Sequence, residues 1–577
     1  ALCLVAAACA PGGSTPATDI TVPDGTTTPV RRQGPGYGGD AVIGLGTMAE
    51  PRSLNPFLDG PDTAILDVIG RATFAAAWKA DPITRELLAD VVVAIPTPSN
   101  GGVVVNADGS MTVTYQIDPQ AQWADGAPIT PGDLAFTIEV VTDPDLPIRR
   151  DLRRRYERIV PETIRTEADT LQFTMDGVTQ DYELLFDIII PRHAVAGTDF
   201  VDDWNDQMWV AGGPFQFNAW QPGQYLELER NPRYWKVDPE TGLQLPYLDR
   251  VVFRFFEVGV SIDPRLLRWF QTRFLDVATI PDRPEDFETF RALETDGAEV
   301  MVLPGMVWEH LNFQFGPANR NQQSLNRHLE FRQAIAHAID RRTLAQIRGV
   351  EPIDSLSGLY VPSISQDPWS RYDYDPDRSR ELLAQLEQRP DAGLALAGPR
   401  VVLTTSSDSV SSVILARRIT EMLDEVGIEV ELQLEESVLL FGETIDEGTW
   451  DVAQWQFVGG VGLSSLVRML EIFDPDGAPF AGNNFYRWGT VDSTVQGPET
   501  QRYAELVNEL AATVGREAVE PLVQEAERIL ADQVVIIPLV LQDLDGTAVW
   551  ADEIAGTVPN PPLGVAWNVE RWYRVDR

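Results

Sequence analysis

The chain has 577 residues, of which 44% are hydrophobic and 23% charged, and its formal net charge at pH 7 is −42. This length predicts two or three packed units, and the composition is typical of a folded protein rather than a disordered one. The negative charge repels phosphate backbones and no basic stripe with interleaved aromatic residues occurs, so the sequence indicates no nucleic-acid partner.

The N-terminal residues predict a processed leader and a tether. Residues 1–9 are apolar up to Cys9 and resemble the end of a secretory signal. Small residues precede Cys9 much as they precede the lipidated cysteine of a bacterial lipobox, so we expect lipidation at Cys9 and an extracytoplasmic, membrane-anchored protein; soluble secretion is the alternative. Residues 10–40 are rich in Pro, Gly, Ser and Thr, which predicts a flexible tether. The other cysteine is Cys3, so the folded part has no disulfide and no cysteine metal site.

The first folded segment carries a false nucleotide signal. Gly44-x-Gly46-x-x-Ala49 follows an apolar run as in a dinucleotide-binding turn, but Glu50-Pro51 comes where that turn needs a helix. We therefore interpret it as a first strand that leads into an irregular loop, with glycines that supply backbone freedom. A helix is predicted over residues 63–78.

The remaining elements alternate between strands and helices. Strands are predicted over residues 111–117, 225–230, 251–258 and 534–541, and helices over residues 325–347, 375–388 and 411–426. Such alternation favours α/β lobes in which helices cover the sheets. The densest basic segment, Arg149 to Arg158, is interpreted as a solvated helix face that pairs with the acidic surface.

Little in the sequence favours an enzyme. The chain has four histidines, and they show no metal-ligand spacing; no HExxH or GxSxG motif occurs. Lys79 and Lys236 are the only lysines, and neither lies in a Gly-rich loop. We predict no catalytic residue, no metal and no cofactor.

Several blocks along the chain carry a family resemblance. They are "EPRSLNPF", the turn motif Trp123-x-Asp125-Gly126-x-Pro128-x-Thr130 before a helix with Asp133, Gly213-Pro214-Phe215, Asn231-Pro232-x-Tyr234-Trp235, and "FRQAIAHAIDR", with Arg332, Asp340 and Arg341. In this order they resemble the extracytoplasmic solute-binding proteins of the peptide/nickel family, the substrate receptors of ABC importers. We interpret the residues of these blocks as structural rather than ligand-binding. Trp123 is expected to pack in a turn, Asp133 to cap a helix, and Asp340 to end one.

The resemblance implies an α/β fold of the type II periplasmic-binding-protein class, with two lobes and an extra subdomain inserted in lobe one. The expected divisions are residues 1–9 as leader, 10–40 as tether, 41–80 as the first segment of lobe one, 81–204 as the inserted subdomain, 205–305 as the second segment of lobe one, 306–552 as lobe two, and 553–577 as the return to lobe one. Solute is then expected to be enclosed between the lobes by hinge closure.

The resemblance also implies a ligand-binding set at the N-P loop and at loops that follow strands of lobe two. The expected residues are Asn55, Phe57, Trp308, Glu309, Trp455, Gln456, Asn484, Tyr486 and Trp488. Peptide-binding members commonly carry an Asp in a D-Y-x-D-P-like context that pairs with the peptide's α-amino group. Here "FVGGVGLSSLVRML" has no acid before Glu471, which argues against dipeptide specificity of that kind. The scarcity of histidine argues against nickel.

The function expected from the resemblance is therefore capture of an oligopeptide or similar-sized organic solute for an ABC permease and its ATPase subunits, by a monomer held at the membrane through its N-terminal lipid. An oligosaccharide or other non-peptide solute is the alternative within the class. A secreted hydrolase with a carboxylate pair, or a cell-surface sensor, are the alternatives from other classes.

Overall fold

The computed structural model of the protein describes residues 35–60, 63–259, 261–317, 325–392, 398–477 and 484–575. Cys9, the predicted leader and residues 10–34 of the predicted tether lie outside these ranges. Within them, every helix is too short or too polar to cross a membrane.

The first half of the chain forms three separate sheets and the helices around them. Its strands are β1 (Asp40–Leu45), β2 (Trp78–Ala80), β3 (Leu87–Ala89), β4 (Val103–Val105), β5 (Met111–Gln116), β6 (Ile159–Glu167), β7 (Thr170–Met175), β8 (Phe215–Gln221), β9 (Tyr225–Arg230), β10 (Arg250–Phe255), β11 (Val277–Ile280) and β12 (Ala298–Pro304). Its helices are α1 (Thr63–Gly70), α2 (Pro131–Thr142), α3 (Arg150–Tyr156), α4 (Arg192–Val195), α5 (Pro264–Gln271) and α6 (Pro284–Arg291), with 3₁₀ helices at Asp181–Leu184 and Ala292–Asp296.

The second half contains a five-stranded sheet with its helices, the strand β18 that joins the sheet of the first half, and the short two-stranded sheet β19-β20. Its strands are β13 (Val307–Phe313), β14 (Arg400–Ser406), β15 (Glu429–Glu435), β16 (Val452–Val458), β17 (Ile536–Leu541), β18 (Leu544–Trp550), β19 (Ile554–Ala555) and β20 (Tyr573–Arg574). Its helices are α7 (Leu329–Ala338), α8 (Arg341–Arg348), α9 (Pro376–Glu387), α10 (Val410–Glu425), α11 (Ser437–Leu439), α12 (Ile445–Glu447), α13 (Gly462–Glu471), α14 (Pro498–Ala511) and α15 (Arg516–Asp532). A π-helical turn, Leu440–Thr444, joins α11 to α12, and 3₁₀ helices occur at Leu325–Arg327, Ser357–Leu359, Pro362–Ile364, Pro368–Arg371 and Val569–Arg571.

The first lobe is built on a seven-stranded sheet in the order β12-β18-β11-β1-β10-β9-β8. β1 lies at its centre, parallel to both β10 and β11, and Ala41, Ile43 and Leu45 are buried on it. Parallel neighbours require crossover connections, so the carboxyl ends of β1, β10 and β11 meet at one edge of the sheet. This edge faces the second lobe.

A four-stranded antiparallel sheet, β4-β5-β7-β6, stands apart from the seven-stranded sheet. β5 alternates buried and exposed positions, with Met111, Val113 and Tyr115 inside, which is the period-two pattern that its sequence predicts. These strands fall within the range predicted for an inserted subdomain; the exact division of the chain stays a prediction.

The second lobe is built on a five-stranded sheet in the order β15-β14-β16-β13-β17. One continuous hydrophobic core contains Leu311 and Val452 from this sheet and residues from the helices on it, such as Ile335 of α7, Ile419 of α10 and Leu530 of α15. The lobe therefore has a core of its own.

Two adjacent segments carry the chain between the lobes. They pair as one antiparallel ladder, in which Pro304 of β12 is opposite Leu544 of β18 and Trp308 of β13 is opposite Leu541 of β17. The carboxylate of Asp543 accepts hydrogen bonds from the backbone of Val307 at 2.8 Å and of Met306 at 3.3 Å. A Cβ at Gly305 would lie 2.1 Å from this carboxylate, so a larger residue there would displace the side chain of Asp543 and its hydrogen bonds. We call residues 304–307 and 541–544 the hinge.

Two predicted helices differ in the structure. The helix predicted over residues 63–78 ends at Gly70, because the chain turns back and Ala75 forms a strand bridge with Ile189. The helix predicted over residues 325–347 is divided into α7 and α8. Asp340 begins α8 as its N-cap, accepting from the backbone of Thr343 at 3.0 Å, so the prediction that it only ends a helix was wrong.

Other local predictions are confirmed. Residues 46–60 form an irregular loop after β1, without a helix. The reason given for the glycines was wrong, however, since neither Gly44 nor Gly46 has a positive φ. A Cβ at Gly46 would lie 2.3 Å from the side chain of Leu266, so the glycine permits α5 to pack closely on the strand. Asp133 accepts from the backbone of Thr130 at 2.8 Å in a capping box, as expected.

Candidate functional site

A cavity of about 830 Å³ lies between the two lobes, and we call it the main cavity. It is bounded by the residues that follow β1, β10 and β11 in the first lobe, by the hinge, and by Val458–Val461 after β16 in the second lobe. Ligands of α/β proteins bind at the carboxyl ends of the sheet strands, so both the position and the size suit a small organic solute.

One group of charges on the wall comes from α1 and α3. Arg149 lies 3.5 Å from the carboxylate of Asp67, and Arg155 lies 3.1 Å from that of Asp187. Arg71 follows α1 and stands over the ring of Trp78, 5.4 Å from its centroid. Its Nη1 is buried and, within the described residues, has no hydrogen-bond partner. Arg71 therefore brings an unsatisfied donor to the wall of the cavity.

A second group of charges lies at the hinge. It consists of Asp282, which is held by Arg348 at 2.5 Å, together with Asp543 and Asp545. Among the residues that the structure describes, the carboxylate of half-buried Asp545 has no hydrogen bond or ion pair. Burial and the neighbouring charge of Asp543 raise the pKa of Asp545 to about 6. Near neutral pH this carboxylate is mostly ionised and lacks a counter-charge of its own.

The two groups are electrically separate. Burial raises the pKa of Asp67, and the charges that act on it are those of Arg149, Asp187 and Arg71. Burial also raises the pKa of Asp282, and there the charges are those of Arg348 and Asp543. The main cavity therefore presents a cationic donor in one group and an unpaired carboxylate in the other. Across the described part of the chain, no three His, Cys, Asp or Glu side chains are arranged to hold a metal ion.

The lobes also touch beside the cavity, at the N-terminus of α13. Asp181 accepts from Oγ of Ser464 and from Nε of Arg468, both at 2.9 Å, and Glu183 accepts from the backbone of Leu463 at 3.2 Å. Acids of the 3₁₀ helix Asp181–Leu184 thus occupy a helix N-terminus of the second lobe, where the helix dipole favours negative charge. Burial raises the pKa of Glu183 to about 7. We call these contacts the interlobe latch.

The predicted ligand residues of the first lobe, Asn55 and Phe57, are 2% and 1% exposed. The amide of Asn55 donates to the backbone oxygen of Phe200 at 2.7 Å, and the ring of Phe57 packs against Phe200 and Trp209. Neither lines the main cavity. Their local role is to fix the loop after β1.

Four predicted residues lie within the sheet of the second lobe. Trp308 and Trp455 are buried in one aromatic cluster around His310. Glu309 is fully buried and accepts a hydrogen bond from Gln454, while Gln456 donates to Oγ of Ser412 at 3.0 Å. Burial raises the pKa of Glu309 to about 7.

The last three predicted residues lie near the other end of that core. Asn484 donates to the backbone oxygens of Asp474 and Trp488, Tyr486 stacks on Phe473 with centroids 4.9 Å apart, and Trp488 packs against Tyr503. None of the nine predicted residues lines the main cavity. Ligand contact stays a prediction for all nine; Gln456 is partly exposed, and the other eight are buried in the manner of core residues.

The residues that do line the cavity had a signal in the sequence. Asp282 and Asp545 come just after, or at the start of, buried strands at the edge where parallel strands end. Arg149 and Arg155 belong to the densest basic segment, but the interpretation of that segment as a solvated face is wrong for Arg149, which is buried. The segment's position beside α1 depends on long-range packing that no local pattern shows.

Comparison with known proteins gives the class. The model of a family described as bacterial extracellular solute-binding proteins, family 5 Middle, matches residues 102–467, more than half of the chain. The oligopeptide-binding protein OppA of Mycobacterium tuberculosis strain H37Rv is 24% identical over 500 residues, which cover 83% of this chain and 78% of that protein.

Solved structures share the fold. An oligopeptide-binding protein OppA superposes with a TM-score of 0.71 at 18% identity, covering 94% of this chain and 92% of its own. The oligopeptide-binding protein AppA of Bacillus subtilis, in complex with a nonapeptide, superposes with a TM-score of 0.58 at 18% identity, covering 94% of this chain and all of its own. These likenesses confirm the predicted two-lobe α/β fold.

Proposed function

The chain belongs to the bacterial extracellular solute-binding proteins of family 5, and from this premise we propose that it is the substrate receptor of an ABC importer for oligopeptides. It captures the peptide between its two lobes and delivers it to the membrane permease. The names of its relatives, OppA and AppA, support the peptide as solute.

The observation that carries the proposal is the charge layout of the main cavity. A peptide with free ends is a zwitterion, with an ammonium group at one end and a carboxylate at the other. Arg71 offers a buried donor without a partner among the described residues, and Asp545 offers an ionised carboxylate. We assign the peptide's carboxylate to Arg71 and its ammonium to Asp545. Each contact pairs a partly desolvated charge of the protein with an opposite charge of the peptide, and this pairing contributes to the affinity.

Capture works by lobe closure and needs no chemical step. The two hinge segments form one short ladder, so rotation about residues 304–307 and 541–544 opens or closes the main cavity. A peptide that contacts both lobes binds the closed form better than the open one and shifts the population towards it. The permease then recognises the closed form, and the ATPase subunits drive transport.

The remaining parts of the proposal concern location and state. We propose that Cys9 carries a lipid that holds the receptor at the outer face of the cytoplasmic membrane, with residues 10–36 as its tether. The sequence predicted a tether up to residue 40, but Tyr37 packs against Tyr247 and Asp40 begins β1. The receptor acts as a monomer and turns over no substrate.

The test is a thermal-shift screen of the purified protein with peptides of two to eight residues, oligosaccharides and metal salts. A ligand that binds only the folded state stabilises it by an amount that grows with the ligand concentration relative to Kd. We expect concentration-dependent shifts with peptides alone. A shift with oligosaccharides and none with peptides would replace the proposed solute. Hydrolysis of a peptide or glycoside by the purified protein would favour an enzyme instead.

A further inference from the structure

A second cavity of about 320 Å³ opens beside the main cavity, and we call it the side cavity. The two share the segment Val458–Gly460 and the side chain of Ser465. The walls that belong to the side cavity alone come from Arg154 of α3 in the first lobe and, in the second lobe, from Tyr360, Phe457, Arg468, Met469 and Ile472. The side cavity is thus adjacent to the main cavity and also lies between the lobes.

The segment that the two cavities share is closely packed. Gly459 and Gly460 belong to it with Val458; a Cβ at Gly460 would lie 2.5 Å from Oγ of Ser465, and a Cβ at Gly459 would lie 3.2 Å from the backbone oxygen of Met306. Any larger residue at position 460 would press on a side chain that lines both cavities. The two glycines therefore allow the close packing of the segment that both cavities share.

The chemistry of the two cavities is different. Among the residues that the structure describes, seven carboxylates line the main cavity: Asp67, Asp151, Asp187, Glu257, Asp282, Asp543 and Asp545. The described residues that line the side cavity include no carboxylate. The apolar side chains of Tyr360, Phe457, Met469 and Ile472 dominate its wall, and Val458 at its mouth is 70% exposed. Such a wall suits an apolar group rather than a charged end.

Two arginines in the wall of the side cavity favour aromatic groups over other apolar groups. Arg468 is held by Asp181 of the interlobe latch, while the guanidinium of exposed Arg154 lies near the carboxylate of Glu471. A guanidinium attracts the face of an aromatic ring, and aromatic rings also pack well against Tyr360 and Phe457.

We propose that the side cavity is a subsite for a large apolar, preferably aromatic, side chain of the same solute whose charged ends bind in the main cavity. The inference rests on the proposed function and specifies it further: the receptor selects peptides that carry an aromatic residue at one position. Full burial of such a side chain corresponds to about tenfold to hundredfold in affinity.

The test uses hexa-alanine and six relatives in which one phenylalanine is moved from position to position, with affinities measured by calorimetry on the purified protein. For the wild type, we expect one position at which phenylalanine improves affinity at least tenfold. The variant Ile472→Trp fills the side cavity from a residue that does not line the main cavity. It should lose that improvement and bind hexa-alanine as the wild type does, which also shows that the variant is folded.

Matched variants separate the possible causes. Ile414→Trp makes the same substitution on exposed α10, away from both cavities, and should leave the phenylalanine preference intact. Arg154→Ala should reduce the preference about threefold. Its control is Arg150→Ala, an exposed arginine of the same helix that lines neither cavity.

The results distinguish the two proposals. If the wild type binds peptides but shows no preferred position for phenylalanine, or if Ile472→Trp keeps the preference, the subsite is wrong and the peptide receptor stands. If the wild type binds none of the peptides in this set or in the thermal-shift screen, the receptor proposal fails, and the subsite fails with it.

Discussion

The sheet of the second lobe and the wall of the main cavity both hold ionisable side chains out of water, but burial brings those of the sheet closer to their neutral forms. In the sheet, burial raises the pKa of Glu309 to about 7 and lowers the pKa of His310 to about 3, so that near neutral pH Glu309 is protonated about half of the time and His310 is uncharged. On the cavity wall, Asp545 has a pKa of about 6 and no ion pair in the described part of the chain, and Nη1 of Arg71 has no hydrogen-bond partner there. A buried or half-buried charged group that lacks a partner in the protein indicates a surface where a solute supplies the partner.

The largest expected effect tests whether the predicted tryptophans belong to the core. Trp488 is fully buried against Tyr503, so Trp488→Ala should lower the free energy of unfolding by about 3–5 kcal/mol. The milder Trp488→Phe should leave peptide affinity unchanged, since this residue does not line the main cavity. Urea unfolding and calorimetry measure the two quantities. A fully stable Trp488→Ala with weakened binding would instead put the ring at the ligand and restore the prediction made from the sequence.

The next effect concerns the unpaired carboxylate of the cavity. Asp545→Asn should weaken peptides with a free amino terminus by about ten- to a hundredfold, because a charge-assisted hydrogen bond is lost. N-acetylated peptides should bind the variant and the wild type equally. Since the pKa of Asp545 is raised to about 6, wild-type affinity for free peptides should fall as the pH drops through 6. It should be highest near pH 7 and fall again above about pH 8, where the peptide's own ammonium group loses its proton.

The control for Asp545→Asn is Asp552→Asn, an exposed acid of the same chain segment that pairs with Arg273 and does not line the cavity. It should bind as the wild type does. An equal loss for free and acetylated peptides in Asp545→Asn would show that the carboxylate shapes the cavity without binding the ammonium group.

The structure also shows how much of the fold and of the cavity could be predicted from the sequence alone. Strand β9, helix α9 with its cap at Asp375, and helix α10 before Gly427 were predicted because local period and capping determine them. The family motifs predicted the two-lobe fold. The cavity wall was missed because Arg71 and Asp545 reach it only through the arrangement of α1 and the hinge ladder around it. Conversely, residue type suggested Trp455 and Tyr486 as a binding surface, and their packing inside the second lobe depends on contacts between distant segments.

The protonation of buried Glu309 in the sheet of the second lobe can be tested directly. Its raised pKa means that the folded state holds a proton more tightly than the unfolded chain, in which the pKa is near 4.5. The resulting contribution to stability is fully present below about pH 4.5 and is lost as the pH rises to 7. Glu309→Gln removes this dependence, so the variant should gain about 3 kcal/mol over the wild type at pH 8 and about nothing at pH 4.5. Parallel stability–pH curves for the two proteins would show that Glu309 is not buried as a neutral acid.

The smallest expected effect concerns the interlobe latch, which connects the two lobes. The latch stabilises the closed form and does not contact the charged groups of the main cavity. Asp181→Ala removes the hydrogen bonds to Ser464 and Arg468, a partly buried set of contacts that we expect to contribute about 1 kcal/mol to the closed form. Peptide affinity should fall about fivefold for free and acetylated peptides alike, and the radius of gyration measured by X-ray scattering should increase. Asp176→Asn, an exposed acid outside the latch, should change neither quantity. A loss confined to peptides with a free amino terminus would instead mean that Asp181 senses the ligand's charge, and the separation drawn between the latch and the cavity wall would then be wrong.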